Sequence, residues 1–188
     1  MALRNWLNED LQSLRRRLDG GFIGVVPADR WRERVDDGGI APVYVIWHTA
    51  RHHDVAVNAV LRSAPEVLDD WRDRVGIVDD TWRGLAEGED HELVDQLDSE
   101  AVGQYLLAVI DSTIAWLADA ELPDAASVPD SLKALRDLGT PEDRFDWLYG
   151  MWEGKSAHFF LGWEAIGHGY NHLGELISIR NRMGLSPF

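Results

Sequence analysis

The chain has 188 residues, with 33 acidic against 18 basic residues and a formal net charge of −15. This length suits one domain over residues 1–188, and the negative charge argues against a nucleic-acid partner because phosphate backbones would be repelled. The chain has no cysteine, which excludes disulfides and Cys-bound zinc. Any thiol chemistry would therefore need its sulfur from a bound small molecule.

The first predicted helix spans residues 4–18 and ends before the glycine pair at 20–21. Its apolar residues recur at spacings of three and four, which places them on one stripe: Trp6, Leu7, Leu11, Leu14 and Leu18. This stretch lacks the uninterrupted apolar segment of a signal peptide, and no apolar run approaches the ~20 residues that span a bilayer. We therefore expect a soluble, cytoplasmic protein without a membrane partner.

A second helix is predicted over residues 43–62, because Pro42 suits a helix start. Residues 63–98 then form a link longer than an antiparallel helix pair requires, which predicts a crossover connection. The third predicted helix runs from Ser99 to Ala120, since apolar residues recur there every three or four positions before Pro123.

A shorter helix is predicted at "TPEDRFDWLYGMW", with Thr140 as its cap and Pro141 in its first turn. The last long helix should run from about Ser156 to Met183, with Gly184 as its stop. Its inward residues are predicted to be Phe159, Phe160, Trp163, Ile166, Leu173, Leu176 and Ile177. The chain order predicts an all-α fold, a four-helix bundle with a long crossover connection between helices two and three.

Histidines recur one helical turn apart in two of these helices. His168 and His172 share one face of the last helix, and His48 and His52 share one face of helix two, whereas His53 is rotated ~100° from His52. If these helices are neighbours, a histidine of helix two can join His168 and His172 around a divalent ion. Three protein ligands leave one coordination position open, as in sites that activate water or bind a substrate atom.

Two segments resemble the signatures of a known family. "VYVIWHTARHHDVAV" resembles the helix-two signature of the DinB-like (DinB/YfiT-like) metalloenzymes, and "GHGYNHLGELISIR" resembles their closing signature. The resemblance implies a four-helix bundle in which His48, His168 and His172 bind a divalent metal ion such as zinc or nickel. His52 departs from the family pattern, and it could replace His48 as ligand or lie beside the site and handle a proton.

The resemblance also implies a small-molecule substrate, because studied relatives include thiol S-transferases and mycothiol-dependent maleylpyruvate isomerases. Among the basic residues only Lys133 and Lys155 are lysines, a skew that indicates a high-GC bacterium, where mycothiol would be the candidate thiol. Thiol transfer is the first functional hypothesis, and hydrolysis by a metal-activated water is the second. The alternatives are a non-catalytic metal- or ligand-binding stress protein and a structural bundle that forms a homodimer.

The remaining polar side chains near these motifs have simpler interpretations. Side chains expected in solvent are His53, His91, Glu164 and Glu175, although both glutamates could accept from imidazole N–H groups. Arg51 and Arg180 are expected to pair with acids rather than to hold substrate. The bulky segment 124–155 could wall the pocket or form a dimer contact. Trp47, beside His48, is a candidate for lining a pocket.

Overall fold

Helices account for all the regular structure in the computed structural model, which describes residues 2–35, 38–119 and 121–187. The α-helices of this part of the chain are α1 Ala2–Leu18, α2 Pro42–Asp54, α3 Arg72–Val75, α4 His91–Gln96, α5 Ser99–Asp119, α6 Ser131–Asp137, α7 Asp146–Trp152, α8 Ala157–Phe159 and α9 His168–Arg180. Wider π-helical turns occupy Asp19–Ile23, Val55–Leu61, Phe160–Gly167 and Asn181–Leu185, and 3₁₀ turns occupy Ala28–Arg30, Val67–Asp70 and Thr81–Leu85. The predicted all-α class is confirmed.

Four long helices form the bundle, because α1 and α2 each contact both α5 and α9. This arrangement makes α2 and α9 neighbours, as the histidine pattern requires. Every residue of α2 is buried, so this helix runs through the interior rather than along the surface. The predicted crossover between the second and third long helices is present and contains the short helices α3 and α4.

The leucine stripe of α1 is buried as predicted, but two tryptophans assigned to buried faces are not. Trp6 is 49% exposed and Trp163 is 40% exposed. Trp6 precedes Leu7, and one residue is a rotation of ~100° on a helix, so its side chain leaves the leucine stripe. Trp163 likewise precedes the buried Glu164, which takes the inward position on that turn.

One predicted helix end is confirmed by the structure, and one predicted cap is wrong. Gly184 ends the last helix with a left-handed φ of 78°, as predicted. Thr140 does not cap α7, which starts at Asp146, and its hydroxyl is buried without a hydrogen-bond partner. Asp98 starts α5 by accepting from the Ala101 N–H at 2.8 Å, while the predicted last residue, Ala120, lies outside the described residues.

The helix α5 is long and apolar enough to cross a membrane on length and composition alone, so the expectation that no segment reaches that length was wrong. Half of its most apolar window is buried inside the protein. Its buried residues include Val102, Leu106 and Ile110, which belong to the main apolar core among the long helices. The apolar character of α5 is therefore accounted for by core packing.

A second, smaller apolar cluster lies beside the bundle and forms where α6 packs onto the π-helical continuation of α2 and α7 packs onto α6. Its buried members include Val55, Leu85, Leu148, Trp152 and Phe160. This cluster brings Trp152 from α7 and Leu85 from the crossover against the helices that carry the histidines.

Candidate metal centre

Four histidines meet where α2 faces α9 and the turn before it. Within each helix the ring centroids of the i, i+4 pairs are 4.5 Å apart, for His48 with His52 and for His168 with His172. Across the helices the His48 ring lies 4.9 Å from the rings of both His168 and His172. The structure therefore brings together the three histidines predicted as ligands and places His52 beside them.

The Nε2 atom of His168 faces the Nε2 atoms of two other histidines. His168 Nε2 lies 3.2 Å from His48 Nε2 and 3.0 Å from His172 Nε2. His168 Nε2 can carry only one proton, so at most one of the two nitrogens that face it receives a full hydrogen bond. A cation bound between them would satisfy all three lone pairs at once.

Hydrogen bonds on the far side of two rings fix which nitrogen carries the proton. His48 Nδ1 lies 2.8 Å from the Gly84 carbonyl oxygen, and His172 Nδ1 lies 2.9 Å from Glu175 Oε2. Both oxygens can only accept, so each Nδ1 is the donor, and in the neutral ring each Nε2 then carries a lone pair. Both lone pairs are directed at His168.

Burial keeps the two inner rings neutral. His48 is 3% exposed and His168 is 6% exposed. Desolvation, reinforced by the neighbouring histidines, lowers the pKa of His48 well below its usual range and lowers the pKa of His168 to about 2. Neutral imidazole is the form that binds metal ions. His168 Nδ1 is buried without a hydrogen-bond partner, so no protein acceptor fixes the tautomer of this ring.

His52 is engaged at both ring nitrogens. Its Nδ1 lies 2.9 Å from Glu164 Oε2, and its Nε2 lies 3.2 Å from the Leu85 carbonyl oxygen. Glu164 Oε1 in turn accepts from Trp152 Nε1 at 2.8 Å. The ligand atoms that all lie within 4.8 Å of one another come from His48, His52 and His168, a group that does not include His172. The cluster therefore offers two candidate sets of three histidines. The assignment of His48, His168 and His172 as ligands stays a prediction.

Three side chains expected in solvent are instead part of the interior or the site. Glu164 is 1% exposed and holds His52, while Glu175 holds His172, so the two glutamates are the imidazole acceptors considered as the alternative. His53 is buried against α5, where its Nε2 lies 2.9 Å from Thr113 Oγ1. The prediction failed for His53 because α2 is surrounded on all sides. His91 does lie in solvent, with 75% of its side chain exposed.

The two arginines near the histidine motifs make structural contacts within the protein. Arg51 is buried and paired with Glu66 at 3.0 Å, as predicted. Arg180 bonds the Gly21 carbonyl at 2.9 Å rather than an acid, which ties α9 to the turn after α1. Trp47 is fully buried 5.7 Å from the Tyr105 ring, within the main core.

Sequence reasoning missed the carbonyl groups and the indole that contact the histidines. Gly84 and Leu85 accept through backbone oxygen atoms. The residue types in a connecting segment do not indicate which of its carbonyl groups accepts a hydrogen bond. Trp152 falls in the bulky segment 124–155, and its ring lies 6.1 Å from that of His52. Trp152 therefore lies beside the histidines, while a pocket wall or a dimer contact formed by this segment stays a prediction.

A solved structure described as the conserved protein of a locus from Enterococcus faecalis has a similar fold, with a TM-score of 0.67, 15% identity and 96% of each chain covered. No protein-family model and no curated protein matches the chain. The established findings are thus an all-α fold shared with an uncharacterised conserved protein and a buried three-histidine group that could hold a metal ion. The DinB-like family name is not confirmed and remains a resemblance.

Proposed function

We propose that this protein binds one divalent metal ion through His48, His168 and His172 and uses it in a reaction on a small molecule. The short distances from His168 Nε2 to the Nε2 atoms of His172 and His48, 3.0 and 3.2 Å, support this ligand set. Ligand nitrogens at ~2.0–2.1 Å from a common ion would be separated by about this much. His52 is the weaker candidate, because both of its nitrogens already face acceptors.

The proposed chemistry is thiol transfer to an electrophile, with hydrolysis as the second reaction. A metal with one open coordination position would lower the pKa of a bound thiol or water. Because the chain has no cysteine, the sulfur must come from a low-molecular-weight thiol, and the arginine-rich composition favours mycothiol. Zinc or nickel is the proposed ion, since three neutral imidazoles suit either.

The surrounding residues would hold the ligands rather than react. Gly84 and Glu175 accept the Nδ1–H bonds that orient His48 and His172, and such partners raise ligand basicity as well as fixing the ring. The side chain of His172 is 17% exposed, the most open of the three ligands, so substrate would approach from its side. The net charge of −15 supports a small molecule rather than nucleic acid as the target.

One observation favours the second candidate, a non-catalytic metal-binding protein. His48 and His168 are closed to solvent, and the two large described cavities, ≈540 and ≈500 Å³, are lined by other residues. A site that only holds metal needs no substrate cavity. A catalytic site would have to open beside His172.

Metal content measured by mass spectrometry on untagged protein tests the ligand set. We expect about one ion per chain in the wild type, and loss of that ion in His172→Ala. His52→Ala should keep the metal, and His91→Ala is the control for removing an exposed histidine. Wild type that stays metal-free after reconstitution would refute the site, and loss in His52→Ala with retention in His172→Ala would assign the other histidine set.

Activity separates the two candidates once metal is bound. Metal-loaded protein should consume mycothiol in the presence of an electrophile panel, and chelation should abolish turnover. Bound metal without any metal-dependent turnover, with thiols or with hydrolysable esters, would favour the non-catalytic protein.

A further inference from the structure

A short stretch of the crossover lies along α2 and presents its carbonyl groups to that helix. We call residues 81–86 the carbonyl segment. Its oxygens are bonded by side chains from one side of α2: Arg51 Nε to Thr81 O at 3.2 Å, His48 Nδ1 to Gly84 O at 2.8 Å, His52 Nε2 to Leu85 O at 3.2 Å and Tyr44 Oη to Ala86 O at 2.7 Å. The segment is therefore held at both ends by the same helix that carries the histidines.

At its centre the carbonyl segment approaches α2 too closely for a side chain. A Cβ atom added at Gly84 would lie 2.3 Å from Trp47 Nε1 and 2.6 Å from Arg51 Cγ. Neither group can move freely, because Trp47 is fully buried and the Arg51 guanidinium is bonded to Glu66 and Tyr105. Glycine at this position is required by contact distance and not by its φ angle, which is not left-handed.

We infer that Gly84 is a positioning residue of the metal site. Its missing side chain lets its carbonyl reach His48 Nδ1, and that hydrogen bond turns the Nε2 lone pair of His48 toward His168. The inference rests on the proposed function, since it assigns a residue to the same site. Groups that orient a ligand in this way typically change metal affinity 10–100-fold when they are lost.

Zinc affinity, measured by competition with a chromophoric chelator, tests the assignment with a matched pair of variants. Gly84→Ala should weaken zinc binding 10–100-fold, because the carbonyl must retreat from His48. Gly88→Ala lies in the same loop, and its added Cβ would meet nothing within 4 Å, so its affinity should stay within about twofold of wild type.

A compensating change distinguishes lost positioning from general damage. Trp47→Phe removes Nε1, the atom nearest to the added methyl group, and this Nε1 has no hydrogen-bond partner to lose. The double variant Gly84→Ala with Trp47→Phe should regain part of the affinity, while Trp47→Phe alone should bind like wild type. The double variant also serves as the test if Gly84→Ala alone does not fold.

The proton position on His48 supplies a second readout in the wild type without metal. Long-range ¹H–¹⁵N spectra should place the proton on Nδ1, and a proton on Nε2 would overturn the inference whether or not zinc binds. Wild type that binds zinc alongside an equally tight Gly84→Ala variant would also overturn it while leaving the proposed function intact. Failure of wild type to bind zinc would refute the proposed function, and the spectra would still test how His48 is oriented.

Discussion

A buried histidine that takes no part in the proposed ligand set makes the protein sensitive to acid. His53 lies between α2 and α5, where Thr113 Oγ1 accepts from its Nε2 and in turn donates to the Val109 carbonyl. Burial lowers the pKa of His53 to about 3. The folded chain therefore keeps this ring neutral at pH values where the unfolded chain, with a pKa near 6.5, takes up a proton.

The stability due to this group is present above pH 6.5 and is lost as the pH falls toward 3. Between these values the unfolded state binds the extra proton, so one such group costs about 2 kcal/mol between pH 6.5 and 5. Chemical denaturation of chelated protein across this range should show a shallower pH dependence for His53→Gln than for wild type. His91→Gln is the surface control, and an unchanged slope in His53→Gln would contradict the assignment.

Side-chain chemistry with helical spacing was the part of the site that could be predicted. The four-residue spacing of His48 with His52 and of His168 with His172 predicts that each pair lies on one face of its helix. The structure brings all four rings together. The burial of Glu164 was not predicted, because Trp163 was assigned to the inward face and the next residue on a helix is rotated by ~100° from it. Its interior position depends on a contact between distant parts of the chain, because Trp152 of α7 donates a hydrogen bond to the Glu164 carboxylate.

One carboxylate joins α2 to the crossover. Asp54 Oδ2 accepts from the Leu68 N–H at 2.9 Å and the Tyr105 hydroxyl at 2.6 Å. Its Oδ1 accepts from the Val67 N–H at 3.0 Å. Arg51, 3.5 Å away, supplies the opposite charge in a fully buried pair. A single side chain thus fixes where the crossover starts relative to the helix.

Replacing Asp54 should therefore be costly at the level of the element. Asp54→Ala leaves Arg51 with one acid fewer and leaves two backbone N–H groups without acceptors, so we expect a loss of about 3–5 kcal/mol in unfolding free energy. Asp111→Ala removes a half-exposed partner of Arg15 and should cost less than about 1 kcal/mol. Equal losses of unfolding free energy in the two variants, measured by urea titration, would show that the buried network stabilises the fold no more than the surface ion pair does.

Long elements were predictable because many residues repeat the same spacing, and short elements were not. α1 and α5 begin and end close to their predicted bounds, whereas α2 ends at Asp54 and reaches the neighbourhood of its predicted end only through its π-helical continuation, Val55–Leu61. The four-residue helix α3 and the 3₁₀ turns of the crossover are too short to show a period. α3 and Val67–Asp70 depend on contacts with α5, and Thr81–Leu85 depends on contacts with α2. Thr140 had the right residue type for a cap, but the chain makes a further turn before α7 starts.

Metal binding should raise the stability of the whole molecule if the proposed site is real. Zinc at one hundred times its dissociation constant adds about 2.7 kcal/mol to the unfolding free energy, which for a chain of this size raises Tm by roughly 5–10 °C. His172→Ala should show no such response. Magnesium is the ion control, because it prefers oxygen ligands, and a similar rise with magnesium would indicate a different site.

The proposed ligands come from distant parts of the chain, since His48 and His168 are 120 positions apart. An ion held by both would tie the second and the last long helices into one closed loop containing most of the protein. By chain-entropy reasoning, a cross-link over ~100 residues can be worth about 4–5 kcal/mol. In a chain that has no cysteine to form a disulfide, the metal would be a removable cross-link, so chelation would loosen the bundle as well as empty the site.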